Sequence, residues 1–418
     1  MFLSLVCSPM EEPLRCPGMH DLLPEEMERF RQVEEVFRLT CREWGYQEVR
    51  TPTIEHLFLF TAAGTLSAQM LGRVYSFLDW DGWSGERVVL RPDSTIPVAR
   101  LYIEHMMGAP LAKLFYVQNV FRFTEGEREE WQCGVELLGD TQPLGDVELV
   151  LLGREVLARL GLGALGVRLS HPGLVRAVLE RTGLSAGEQL RLYDAILDGE
   201  QEALAQLRGR IPDLGPAVDL LLREEGQGAN YVRNLRAAFA QALPEVARPL
   251  DELEALAETL EALGLVPTVT GAMVRNFEYY TGPVFQLLVG DVVVGGGGRY
   301  DALVEVLCGR QVPASGFALY MGRLLPLVTR PPVAAATVWV EPADGAATTV
   351  AAAFQAASAL RERGLPAQVA LARGVSWGGP RLLVGPQGMV AFGAGASAGQ
   401  QVGSVDEALT VLSGGAEK

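Results

Sequence analysis

The chain has 418 residues, 49% hydrophobic and 21% charged, enough for two or three domains and a large buried core. Its formal net charge of −16 argues against a broad nucleic-acid surface, because such affinity comes largely from Lys and Arg neutralising phosphates. The 5 cysteines (Cys7, Cys16, Cys41, Cys133, Cys308) and 4 histidines (His20, His56, His105, His171) are scattered, so the spacing predicts neither a disulfide framework nor a metal site.

The opening MFLSLVCSPMEEPL has a short apolar run without the basic flank of a secretory signal, and Met10 offers a second start. No apolar stretch reaches the length of a membrane span. These features predict a protein of the reducing cytoplasm with no membrane association. In PEEMERFRQVEEVFRLTCREWGY, Phe30, Val33, Phe37, Cys41 and Trp44 recur at helical spacing, which predicts a helix with one apolar face. YQEVRTPTIE then alternates like a strand until Pro52.

Short strand-like runs follow at RVYSFLDWDG, ERVVLRPDST, KLFYVQNVFRF and QCGVELLGD, with helical patterns at IPVARLYIEHMM and DVELVLLGREVLARLGL. Residues 172–262 read as almost continuous helix, strands return in GAMVRNFEYYTGPVFQLLVGDVVVGGGGRYDAL, and ALYMGRLLPLV reads as a closing helix. Strands, a helical block and strands again predict an α+β domain on an antiparallel sheet. Residues 1–171 and 263–330 would form its two parts, with 172–262 as a helical insertion. Residues 333–418 are Ala- and Gly-rich, with strand, helix and strand patterns and a charge of −1. They predict a small α/β domain without a basic face.

Three stretches carry chemistry. LRPDSTIPVAR places Asp93 and Thr95 two residues apart. On an extended segment they would share a side and could receive an ammonium group, or Asp and Thr could simply cap the next helix. FRFTEGEREEWQCGVELLGD carries Arg122 and Arg128 against Glu125, Glu127, Glu129 and Glu130, an acidic lining for a strand–loop–strand of the kind that holds triphosphates. GGGGRYD lacks the spacing and Lys-Ser/Thr of a phosphate loop and reads as a close-packed strand-to-helix turn.

CPGMHDLLPEE, LRPDST, FRF…QCGVELLGD, VRNFEYYTGPVF, GGRYDALVE and SGFALYMGRL occur in the order found in histidyl-tRNA synthetases. They resemble still more closely their non-synthetase relatives, the regulatory subunits of ATP phosphoribosyltransferase, in which LRPD-x-T is typical. The resemblance covers residues 13–330 and implies the class II synthetase core, with the first long helix and following strand at a homodimer interface. Residues 333–418 resemble an anticodon-binding domain only loosely.

Carried over by position, the resemblance implies a histidine site. Asp93, Thr95 and Gln132 would meet the α-amino group, and Glu136 and Tyr280 the two imidazole nitrogens. Tyr279 and Tyr300 would stand nearby, with Arg275 at the α-carboxylate. A zwitterion needs both charges answered and an imidazole needs two hydrogen-bond partners, so the chemistry is coherent. Arg122 and Arg323 stand where synthetases grip ATP, but Thr124 replaces the glutamate of the family's R-x-E motif. The loop is shorter and acidic, and Tyr320 and Gly322 replace the usual Gly and Glu. A misplaced like charge ~4 Å from a phosphate costs on the order of 4 kcal/mol at an effective dielectric near 20, and one lost transition-state cation costs ~10²–10³-fold in rate.

The resemblance therefore implies a regulatory, non-catalytic subunit of ATP phosphoribosyltransferase in the first step of histidine biosynthesis. Its partner would be the short catalytic subunit, which needs it for activity, and L-histidine would be its ligand, exerting feedback. The assembly would be a homodimer within a hetero-oligomer, with no nucleic acid, cofactor or metal. A divergent histidyl-tRNA synthetase is the alternative, supported by Arg275. A stand-alone amino-acid-binding module is a third reading.

Overall fold

The computed structural model describes residues 14–413 apart from 63–71, 73, 81–84, 124–125, 140–142, 198–200, 215–217, 222–224, 240, 274–278, 330–336 and 372–378. Two compact units divide the chain, Met1–Arg330 and Pro331–Lys418. The first begins with α1 (Pro24–Glu43), which has Pro at its start and acidic residues in its first turn, where the helix dipole favours them. The Leu23 amide donates to Glu26 Oε2 at 3.1 Å. Phe30, Val33, Phe37 and Cys41 form its buried face, as their spacing predicts.

The strand expected in YQEVRTPTIE up to Pro52 is the short β1 (Gln47–Glu48), and beyond the proline β2 (Ile54–His56) lies in a different sheet. The break has a physical cause. Arg91, 3% exposed, donates to Thr51 O at 2.9 Å and Pro52 O at 3.0 Å, so these carbonyls are withdrawn from any ladder. Its other donors reach Gln118 Oε1 at 2.7 Å, Asn119 O at 2.7 Å and Asn119 Oδ1 at 2.8 Å. The guanidinium, with no carboxylate in this set, thus ties the chain after β1 to the strand that carries Gln118 and Asn119.

After α2 (Leu57–Ala62), strands β3 (Ser76–Trp80) and β4 (Gly85–Leu90) complete a three-stranded sheet in the order β2-β4-β3. The helix α3 (Thr95–His105) leads into the long pair β5 (Ala112–Phe121) and β6 (Glu129–Leu138). Then come α4 (Leu144–Arg159) and β7 (Leu165–Ser170). Residues 172–262 hold α5 (Pro172–Glu180), α6 (Ala186–Leu197), α7 (Gln201–Arg210), α8 (Gly228–Phe239) and α9 (Ala247–Ala262). They are not helical throughout: β8 (Glu225–Gln227) pairs antiparallel with β9 (Thr268–Thr270). Three residues reading EGQ carry no period from which a strand could be expected.

β10 (Val284–Val289), β11 (Val292–Arg299), α10 (Ala302–Cys308), β12 (Ala314–Tyr320) and α11 (Met321–Leu324) finish the unit. The large sheet has the order β1-β5-β6-β12-β11-β10-β7-β9-β8, antiparallel except at β1·β5 and β7·β9. Two expectations need correction here. Ala318, Leu319 and Tyr320 belong to a strand rather than a helix. Gly295–Gly298 lie within β11 rather than in a turn, because the neighbouring backbones leave no room for a side chain. A Cβ at Gly297 would stand 2.0 Å from Gly316 O, and one at Gly298 2.6 Å from Pro283 O.

At the end of this strand, Arg299 is fully buried. It meets Asp146 in the first turn of α4 through Nη2 at 3.1 Å and Nε at 3.2 Å, and donates to Asp301 Oδ1 at 3.1 Å. Among the histidines, buried His171 accepts from the Gly173 amide at 2.9 Å and so caps α5. The second unit contains β13 (Val338–Pro342), α12 (Ala347–Glu362), β14 (Ala367–Val369), β15 (Arg381–Gly385), β16 (Gly388–Phe392), β17 (Gln400–Val402) and α13 (Val405–Ser413). Its sheet order is β14-β13-β15-β16-β17, around a core including Val338, Val340, Leu360 and Leu382.

Removing Asp146 leaves a buried guanidinium without its main counter-ion, which typically costs about 3–5 kcal/mol. Asp146→Ala is therefore expected to lower unfolding free energy by that amount in a denaturant titration.

Candidate functional site

The site is built on β5, β6, β12 and β11, where side-chain alternation puts Gln132, Gly134 and Glu136 on one face of β6. Two glycines make space there. Gly134 lies opposite Tyr116 on β5, whose ring fills the position its Cβ would take, with atoms within 2.1 Å of it. Gly316 lies opposite Glu136, and a Cβ there would stand 2.0 Å from Glu136 Oε2.

Glu136 is 1% exposed. Thr95 Oγ1 donates to its Oε1 at 2.8 Å and Tyr116 OH to the same oxygen at 3.1 Å, while Tyr300 OH donates to Oε2. Burial pushes its carboxyl up to about 8, against the opposing pull of these hydroxyls. Asp93, 5% exposed, is likewise raised by burial, opposed by the Ile96 amide and by the Arg122 charge. Burial also holds the hydroxyls of Tyr116, Tyr279 and Tyr300 well above their ordinary range, so they stay protonated donors.

Asp93 and Thr95 do not sit on an extended strand. Asp93 Oδ1 accepts from the Ile96 amide at 2.9 Å, and Thr95 opens α3. The helix cap and the pocket, alternatives in the sequence, are combined: one Asp93 oxygen holds the helix and the other accepts from Tyr279 OH at 3.2 Å. Tyr279 packs against Tyr280 and Tyr300, with ring centroids 4.9 and 5.6 Å apart.

A cavity of about 60 Å³ is lined by Asp93, Thr95, Arg122, Gln132, Tyr279, Tyr280 and Tyr300, together with Tyr116 and Tyr320. Of the residues expected from sequence, Glu136 is one layer back, behind Thr95, Tyr116 and Tyr300, and Arg275 lies outside the described residues. The volume is well below the roughly 300 Å³ at which small-molecule pockets begin.

Arg122 donates to Pro92 O at 2.9 Å and pairs with Glu130 Oε2 at 3.3 Å. The same Glu130 oxygen accepts from Gln132 Nε2 at 2.9 Å. Arg323 donates to Val293 O at 3.1 Å and lies 5.2 Å from the centroid of the Tyr320 ring. Glu127 is raised by burial and by Glu130, and its carboxylate lies against Gly322, 3.1 Å from where a Cβ would be. Arg128 packs over Phe123 at 4.2 Å, while Thr124 and Glu125 lie outside the described residues. The sequence reasoning missed Tyr116, although its place in KLFYVQNVF opposite a glycine of QCGVELLGD was the available signal. It also treated Glu130 as one acid among four rather than as the partner of Arg122.

The histidyl-tRNA synthetase family model matches residues 18–324. The ATP phosphoribosyltransferase regulatory subunit of Dehalococcoides mccartyi strain BAV1 is 48% identical over 317 residues, covering 75% of this chain and 77% of its own. The histidine–tRNA ligase of Desulforudis audaxviator is 34% identical over 331 residues, covering 75% and 74%. Among solved structures, a Bacillus halodurans protein described as an ATP phosphoribosyltransferase regulatory subunit/histidyl-tRNA synthetase superposes with a TM-score of 0.72 at 25% identity, over 88% of this chain and 95% of that one. The histidyl-tRNA synthetase of Nostoc sp. gives 0.70 at 18% identity over 95% and 99%, a likeness of fold. The fold is therefore the class II synthetase-like α+β architecture.

A carboxyl raised from 4.5 to about 8 stabilises the fold fully below its unfolded pKa, and that contribution is lost as pH rises through 8. Glu136→Gln is expected to remove this dependence. In chemical denaturation between pH 5 and 8.5, the native chain should lose on the order of 4 kcal/mol more than the variant.

Proposed function

The chain belongs to the histidyl-tRNA synthetase family, on the branch of the ATP phosphoribosyltransferase regulatory subunits, and from that premise we propose that it is a non-catalytic, histidine-sensing subunit in the first step of histidine biosynthesis. Its partner is the short catalytic subunit, which depends on it for activity and is inhibited through it. The observation that carries the non-catalytic reading is the Arg122–Glu130 pair. An arginine already answered by a carboxylate at the pocket edge is poorly placed to receive a triphosphate, and Glu127 adds negative charge beside Gly322. A free zwitterion has no such difficulty.

Histidine would place its ammonium group near Asp93, Thr95 and Gln132 and its ring towards Tyr280 and Glu136, with Tyr279 and Tyr300 around it. Arg275 is the cation assigned to the carboxylate end, with Arg122 at the pocket edge. Histidine would regulate by binding one state of the assembly more tightly than another, and a tenfold preference for one state is about 1.4 kcal/mol of regulatory bias. We also assign a homodimer to the assembly. Ile54, Phe58, Phe77, Leu78 and Trp80 are 42–66% exposed on and beside the small β2-β4-β3 sheet, an apolar surface suited to a second copy.

Mixing the protein with a short catalytic subunit is expected to raise transferase activity, and histidine to reduce it. Histidine-dependent ATP–pyrophosphate exchange by this chain alone would instead establish the synthetase reading, which the retained Arg275 supports. Asp93→Asn removes the carboxylate that answers the ammonium group. By calorimetry it should weaken histidine binding about 10–100-fold, the worth of one charged hydrogen bond.

A further inference from the structure

Arg91 joins the two sheets of the first unit. It follows β4, the middle strand of the small sheet, and its amide donates to Thr53 O, just before β2, at 2.9 Å. Its carbonyl accepts from the amide of Phe121, the last residue of β5 in the large sheet, at 3.0 Å. The guanidinium bridges the same gap. It donates to Thr51 O and Pro52 O on one side and to Gln118 Oε1, Asn119 O and Asn119 Oδ1 on the other. These acceptors are all neutral, and the residue is 3% exposed. A buried cation is a costly tie between strands, because a neutral pair would avoid its desolvation. What it adds is a rigid planar fork that fixes acceptors on both sides at once.

Two charged groups of the cavity hang from this junction. The next residue, Pro92, offers its carbonyl to Arg122 Nε at 2.9 Å, and the one after is Asp93. Arg122 itself follows Phe121, whose amide the Arg91 carbonyl holds. Asn119 extends the tie to β6, where its Nδ2 donates to Glu129 Oε1 at 2.7 Å, beside the Glu130 that pairs with Arg122. The Ile96 amide and Tyr279 OH orient the Asp93 carboxylate, whereas the depth of the Arg91–Pro92–Asp93 segment against β5 is set through Arg91.

We propose that Arg91 is a positioning residue for the histidine site: its fork fixes Asp93, the anchor of the ligand's ammonium group, relative to Arg122 at the pocket edge. This role rests on the reading of the cavity as a histidine site. Charged hydrogen bonds depend steeply on distance and angle, so a carboxylate that drifts by about 1 Å loses much of its hold on an ammonium group. A lysine at this position keeps the charge but, as a point donor on a flexible stem, cannot meet acceptors on both sides.

The test is a double-mutant cycle on the full-length chain, with histidine binding read by calorimetry at a temperature where unfolding curves show every variant folded. Arg91→Lys is expected to weaken binding about 10-fold in the native background. In the Asp93→Asn background it should cost no more than about twofold, because the carboxylate it positions is already gone. Leu253→Ala, a buried truncation in the helical insertion, is the stability control and keeps histidine affinity within about twofold of the native chain. Equal losses from Arg91→Lys in both backgrounds, or no loss in the native one, overturn the positioning role and leave the histidine site standing. Should Arg91→Lys not fold, Asn119→Ala removes one acceptor of the fork and is expected to weaken binding about threefold natively but not with Asp93→Asn. Equal effects in that pair overturn the role as well. No histidine binding by the wild type overturns the histidine reading and this role with it.

Discussion

A carboxylate that no cation among the described residues touches, sealed inside a sheet, is the constraint around which this protein is arranged. Glu136 can be buried only because three hydroxyls converge on it, and those hydroxyls come from three separate elements, α3, β5 and the end of β11. Each must arrive at the right depth. That requirement accounts for Gly134, which yields its side-chain volume to Tyr116, and Gly316, which yields its own to the carboxylate. The cost of burying an acid is moderated by leaving it largely protonated near neutrality.

The same economy of charge separates the two ends of the cavity. At the Asp93 end, a single carboxylate is shared between a helix amide and a tyrosine hydroxyl, which leaves its environment polar but compact. At the Arg122 end, Glu130 and the Pro92 carbonyl both engage the guanidinium, so each end of the cavity holds a charged group that a neighbour already answers.

Much of this was legible in the sequence, for identifiable reasons. The first helix declared itself through five apolar residues at one spacing, and the LRPDST, FRF, QCGVELLGD, FEYYTG and GGRYDAL segments hold the seven of nine expected site residues that line one cavity. The failures also have causes. Arg91 shortens an expected strand by capturing carbonyls from across the fold, and a tertiary hydrogen bond leaves no local period. Glycines usually signal turns, but those of β11 answer to crowding from neighbouring strands that one chain segment cannot reveal. The depth of Glu136, one layer behind the cavity wall, was not legible because it depends on Tyr116, whose strand pattern looks like ordinary core.

The run of glycines in β11 has an evolutionary consequence. Gly296 and Gly297 floor the cavity, and a Cβ on either would collide with neighbouring backbone at 2.8 and 2.0 Å. Mutation there offers no graded way to reshape the chamber, since the smallest enlargement already disrupts the sheet. Any inherited change in the shape of the chamber must therefore come through the aromatic side walls, while the floor stays as it is.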